Sequence, residues 1–147
     1  MAQAGRRILT ATLVAGTLDI IAASLLALQA GRTPDKMLRA VASGPFPDAT
    51  GWGTGGAALG LAVHFAIMAV MATVFVLAAD RLPVLKARRI LAGIGYGLAT
   101  WAVMNLIVLP LRWPAAFPHF DPYGTGSQFF CHIVLVGIPI ALIAARR

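Results

Sequence analysis

The chain has 147 residues, of which 59% are hydrophobic and 12% charged, against roughly 25% charged in a soluble domain. A chain this apolar has too little polar surface to cover itself in water, and its length suits one domain. It carries 12 Lys and Arg against 5 Asp, with no Glu, for a net charge of +7. These bases flank apolar runs, form no stripe and accompany no recognition motif, which argues against nucleic acid and for anionic lipid headgroups.

Four apolar runs follow one another, at about 8–30, 56–79, 90–109 and 129–145. Each approaches the ~20 residues that a helix needs to cross the hydrocarbon layer. None alternates as a membrane strand would, and a backbone in lipid must satisfy its own hydrogen bonds. The first run does not read as a signal peptide, because it is long, Asp19 interrupts it, and Leu28 rather than a small residue stands just before a cut after Ala30.

Between the first two runs, Thr33-Pro34-Asp35 reads as an N-cap, a proline at the first helical position and an acid in the first turn. A short helix is therefore expected at about 34–43. Met37, Leu38 and Val41 share one face, which would rest on the membrane surface. The stretch from Pro45 to Gly56 is rich in Gly and Pro and is expected to be irregular. Before the fourth run, Trp113, Phe117, Phe120 and Tyr123 stand among prolines as headgroup anchors. Pro139, just after Gly137, is expected to kink the fourth helix by freeing the carbonyl of Leu135. Cys131, the one cysteine, allows no intrachain disulfide and reads as a small packing residue.

Basic residues set the orientation. Arg6, Arg7, Arg81, Lys86, Arg88, Arg89, Arg146 and Arg147 fall on one side, and Arg32, Lys36, Arg39 and Arg112 on the other. The positive-inside rule puts both termini in the cytoplasm. The expected fold is an all-α integral membrane protein: a single membrane domain, a four-transmembrane-helix bundle with a short interfacial helix in the first external loop.

Five polar side chains fall within the runs: Asp19, His64, Tyr96, Asn105 and His132. An ionisable group at mid-helix in lipid costs at least ~2.5–3.5 kcal/mol, so it should face the bundle interior. Around Asp19, a stripe of Thr12, Ala15, Gly16, Ala22 and Ala23 marks a packing face. Gly93 and Gly97 form a small-xxx-small pair beside Tyr96. With the termini inside, Asp19, His64, Asn105 and His132 run from mid-membrane toward the external side, and Asp19 is placed to pair with His64. The cluster is a candidate site without assigned catalytic or metal-ligating residues.

Several segments together resemble a known family. They are Gly16-Thr17-Leu18-Asp19-Ile20, Val41-Ala42-Ser43-Gly44, Gly55 to Gly60 followed by His64-Phe65, Gly95-Tyr96-Gly97, and His132 followed by Val136 to Leu142. In order and spacing these are similar to the YagU-like family of small bacterial inner-membrane proteins of unknown function. The resemblance implies four helices and a bacterial inner membrane, and it brings no catalytic residues.

Three functions fit the sequence. The first is a non-enzymatic accessory or structural membrane component, whose polar residues are interhelical hydrogen bonds worth ~0.6 kcal/mol each; no Ser-His-Asp order, Cys-x-x-Cys, HExxH or phosphate loop argues for an enzyme. The second is a small oligomeric transporter or proton-linked conduit using Asp19 and His64, with Asn105 and His132 at the outer entrance. The third is a haem held by His64 and His132, or a metal held by these with Asp19, against which an expected depth mismatch of roughly 7 Å between the histidines counts. The expected partners are the lipid bilayer and either further copies of the chain or a larger membrane complex.

Overall fold

The computed structural model describes residues 2–146; Arg147, counted above among the basic residues, lies outside them. Six helices follow in order: α1 (Ala2–Gln29), α2 (Pro34–Ala42), α3 (Gly53–Arg81), α4 (Pro83–Ala87), α5 (Arg89–Arg112) and α6 (Pro122–Ala144). Among the described residues there is no strand. Helices α1, α3, α5 and α6, with 28, 29, 24 and 23 residues, are long and apolar enough to cross a membrane. Leu9, Leu13, Leu18, Val70, Val74 and Leu91 are exposed along them, as side chains facing lipid would be.

Helix α6 is the hub. It packs on α5 along its length, on α1 from Cys131 onward and on α3 near the end that carries the termini, while the α3 and α5 backbones stay apart. The α5–α6 contact is backbone on backbone. A Cβ on Gly97 would fall 2.5 Å from the His132 carbonyl, and one on Gly93 would fall 2.7 Å from Ile138 Cα. Gly137 faces both glycines from the other side. The small-xxx-small spacing thus lets two helices approach more closely than any side chain would permit.

The half of the bundle nearest the termini is solid. Ala11 and Ala15 of α1, Met68, Ala72 and Phe75 of α3, and Val136 and Ile140 of α6 form one buried cluster. Its outer rim carries a charge cluster that lines a hollow of about 610 Å³. Arg7 grips both carboxylate oxygens of Asp80, at 2.9 and 2.7 Å, and donates to the Ala144 carbonyl at 2.9 Å. Lys86 reaches Asp80 at 2.6 Å. One carboxylate therefore ties α1, α3 and α4 together and, through Arg7, the end of α6.

The opposite end carries the long loops. Thr33 is the N-cap of α2 without a side-chain capping bond, with Pro34 in its first turn, and Asp35 pairs with Arg39 one turn on. Helix α2 lies against α3, where Gly60 leaves room for the Leu38 carbonyl. Arg112 donates to the carbonyls of Ser43 and Gly44, satisfying acceptors that the end of α2 leaves open.

The stretch expected to be irregular from Pro45 to Gly56 is more ordered than its composition suggests. A 3-10 turn spans Pro47–Gly51, and α3 already starts at Gly53. Helix α6 starts at Pro122, ahead of its apolar run, because Asp121 caps it by accepting from the Gly124 amide at 2.7 Å. Both proline-bearing spans contain a π segment just before the proline, Met104–Val108 before Pro110 and Cys131–Gly137 before Pro139. Proline removes the N–H that would pair with the carbonyl four residues earlier. A switch to i→i+5 pairing offers that carbonyl the next amide along, so local π adjustment re-satisfies it.

Candidate functional site

Gly16 on α1 prepares the site. With no side chain, it admits the Phe65 ring, which a Cβ would approach to 2.6 Å. It also leaves its carbonyl open to His64 Nε2 at 2.9 Å. The two α3 rings meet edge to face, 5.3 Å apart. His64 Nδ1 then faces Asp19 Oδ2 at 3.9 Å, beyond direct hydrogen-bond length but within the span of a bridging water.

This geometry settles one proton and leaves a second in play. The Gly16 carbonyl can only accept, so His64 Nε2 carries hydrogen. A neutral ring would then aim the Nδ1 lone pair at the Asp19 carboxylate, acceptor against acceptor. A water donating to both would bridge that arrangement; one further proton, on the imidazole or on the carboxyl, would let the two groups pair and be neutral in sum.

Asp19 is not sealed in. It lines a cavity of about 480 Å³ between α1 and α6 that reaches the long-loop end. Ala23 and Ala27 form the α1 wall, while Ser127, Gln128, Cys131 and His132 form the α6 wall. Met37 of α2 flanks the cavity, and Arg32, Asp121 and Tyr123 stand around its mouth, all three exposed. There Tyr123 donates to Gln29 Oε1 at 2.8 Å, linking the rims of α6 and α1. Beyond Asp19 toward the termini, the solid core of Ala11, Ala15 and Met68 blocks any continuation.

His132 joins the cavity wall. Thr100 donates to the Gly97 carbonyl at 3.0 Å, so its oxygen accepts from His132 Nδ1 at 3.2 Å. A neutral His132 is thereby left with Nε2 as an acceptor. Because α6 begins at Pro122, His132 lies about 15 Å along its helix, and His64 lies about 16 Å along α3. The 7 Å depth mismatch was counted from the apolar runs, and the earlier start of α6 removes the basis of that count. Among the described residues, no three His, Cys or Asp side chains gather as a metal-holding group.

The other two polar residues stand apart. The Tyr96 hydroxyl donates to the Met71 carbonyl at 2.7 Å, and its ring packs on Phe75 at 4.9 Å, bracing α5 against α3. Asn105 is buried, and its amide donates to the Trp101 carbonyl one turn back in its own helix. The structure thus brings together Asp19, His64 and His132. It adds Cys131, which the sequence had read as a small packing residue, and Ser127 and Gln128, which sequence reasoning passed over because the start of α6 was hidden. The Asp121-Pro122 capping pair was the signal that could have revealed it. Comparison with protein families, with characterised proteins and with solved structures finds no match for this chain, so the chemistry of the site is read from its own geometry.

Proposed function

We propose that this chain is a small multi-pass membrane protein that takes up a small cationic solute at Asp19 in exchange for a proton. Both termini would be cytoplasmic, and the membrane would be the bacterial inner membrane that the YagU-like resemblance implies. The observation that carries the reading is the cavity of about 480 Å³ with Asp19 at its inner end, a size within the ~300–1,000 Å³ of small-molecule sites. Inward of Arg32 and Asp121 at the mouth, Asp19 is the charged side chain on its wall, with Ser127, Gln128 and His132 as polar neighbours. Such a wall suits an ammonium-type group. When that group pairs with the carboxylate, the proton shared by Asp19 and His64 leaves to the cavity and His64 becomes neutral. The exchange conserves charge in the site, as a low-dielectric interior demands. With both termini cytoplasmic, the open end of the cavity would face outward, and conduction would need a second conformation.

A non-enzymatic accessory or structural component is the second reading. It is favoured by the His64–Gly16 bond, which joins α1 to α3 whatever enters the cavity. Proteoliposomes enclosing a pH-sensitive dye separate the two. Addition of methylammonium or larger alkylammonium ions should drive proton movement with the wild-type protein and none with Asp19→Asn. If wild-type vesicles respond no differently from protein-free ones while Asp19→Asn lowers stability, Asp19 is a structural link and the uptake reading fails.

A further inference from the structure

The geometry points to a bound anionic phospholipid on the face opposite the cavity, with one acyl chain seated in the seam between α3 and α5. The two backbones stay apart there, and the gap holds about 410 Å³ lined almost wholly by apolar atoms. Its walls include Val70 and Val74 on α3 and Ala99 and Val103 on α5, all four exposed. A second hollow of about 280 Å³ continues it toward the long-loop end. The two are one groove, because Ile67, Met104 and Val108 line both. From Tyr96 to Val108 the groove runs about 18 Å along α5, slightly more than one leaflet of the ~30 Å hydrocarbon layer.

What identifies the occupant is the charge at the head of the groove. Arg112 lines that end. Its Nε and Nη2 are fixed on the carbonyls of Ser43 and Gly44, and its guanidinium lies 5.0 Å from the centre of the Trp113 ring. Among the described residues its Nη1 has no acceptor, and none of the ion pairs includes it. A cation held rigidly at headgroup level over a leaflet-long apolar groove is complementary to a phosphate with a hydrocarbon tail. A second copy of this chain would fill the groove with side chains but would bring no anion to Arg112 from the apolar α3 or α5 surfaces.

Lipid retention tests this. Purified protein is loaded with phosphatidylglycerol or phosphatidylcholine, washed with detergent, and weighed intact by native mass spectrometry. Wild type should retain one phosphatidylglycerol and prefer it by about fivefold, the worth of one basic residue near an anionic lipid. Ala99→Phe, which fills the groove from an exposed position, should retain neither lipid while keeping its helix content. Arg112→Gln should lose the preference if it folds; since Arg112 also holds the end of α2, Ala99→Phe carries the test independently. Equal retention of both headgroups by wild type, undiminished retention by Ala99→Phe, or a lipid-free wild-type dimer that Ala99→Phe disperses would each overturn the assignment.

Discussion

Replacing Gly97 by alanine probes whether backbone contact between α5 and α6 sets the shape of the site. A Cβ at that position would lie 2.5 Å from the His132 carbonyl oxygen and 2.6 Å from Ile133 Cα, where ordinary contact begins near 3.4 Å. Both obstacles are backbone atoms, so no rotamer change relieves them, and the helices must part by about 0.9 Å, the shortfall at the closer atom. That movement would stretch the His132–Thr100 bond, now 3.2 Å, past hydrogen-bonding length. Overpacking costs ~1–3 kcal/mol and the lost interhelical bond ~0.6 kcal/mol, so the expected loss is about 2–3 kcal/mol. Gly95→Ala is the internal control: two residues away on the same helix, its Cβ would meet nothing within 4 Å, and its effect should stay within ~0.5 kcal/mol. Reversible unfolding in mixed micelles, titrated with SDS and followed by far-UV circular dichroism, measures both. Equal stability of the two variants would refute the view that the α5–α6 approach is limited by backbone contact.

The cavity itself can be probed through Cys131, the one cysteine, which is buried yet lines its wall. A small water-soluble methanethiosulfonate reagent should modify it in the folded protein, and Ala27→Trp, which fills the cavity above it, should slow labelling by at least about tenfold, the effect of ~1.4 kcal/mol of hindrance. Labelling seen only after denaturation would show that the cavity does not admit water. At the other end, Asp80→Ala removes a carboxylate held by Arg7 and Lys86. Because the Asp80 side chain is 33% exposed, the expected loss is about 1 kcal/mol, read in the same SDS titration and accompanied by faster exchange of the last α6 amides. An unchanged exchange pattern would mean that the charged rim does not hold α6.

The helix count was legible because four apolar runs near twenty residues have one physical outcome in lipid. The helix faces were legible where glycine and alanine recur at helical spacing: Thr12, Ala15 and Gly16 of the α1 stripe are buried, Ala22 and Ala23 half-buried, and Gly93 and Gly97 do meet α6. Helix ends were harder to read. Tyr123 to Gln128 looks like loop by composition, and its helix is decided by the Asp121 cap and by packing on α5. Asp19 and His64 were placed together from depth alone. His132 was set too shallow because its helix was started at its apolar run. Tyr96 and Asn105 left the cluster for a reason invisible to helical spacing: each found a backbone carbonyl nearby, Met71 across the seam and Trp101 in its own helix. The Arg7–Asp80–Lys86 clamp was passed over because Arg7 is far from the other two in the chain and each sits at an ordinary helix end.

The π segment in α6 has a consequence for the phase of the helix. His132 and Gly137 are five residues apart, which in an α-helix separates them by about 140°, so they could not both face α5. With i→i+5 pairing, residues five apart stack nearly one above the other. The backbones at both positions do press on Gly97. The residue that closes the helix interface and the residue that lines the cavity are thereby brought into one column. Were the same residues wound as an ordinary α-helix, that 140° would turn the cavity-facing half away from the half that anchors it, with composition and hydrophobicity untouched.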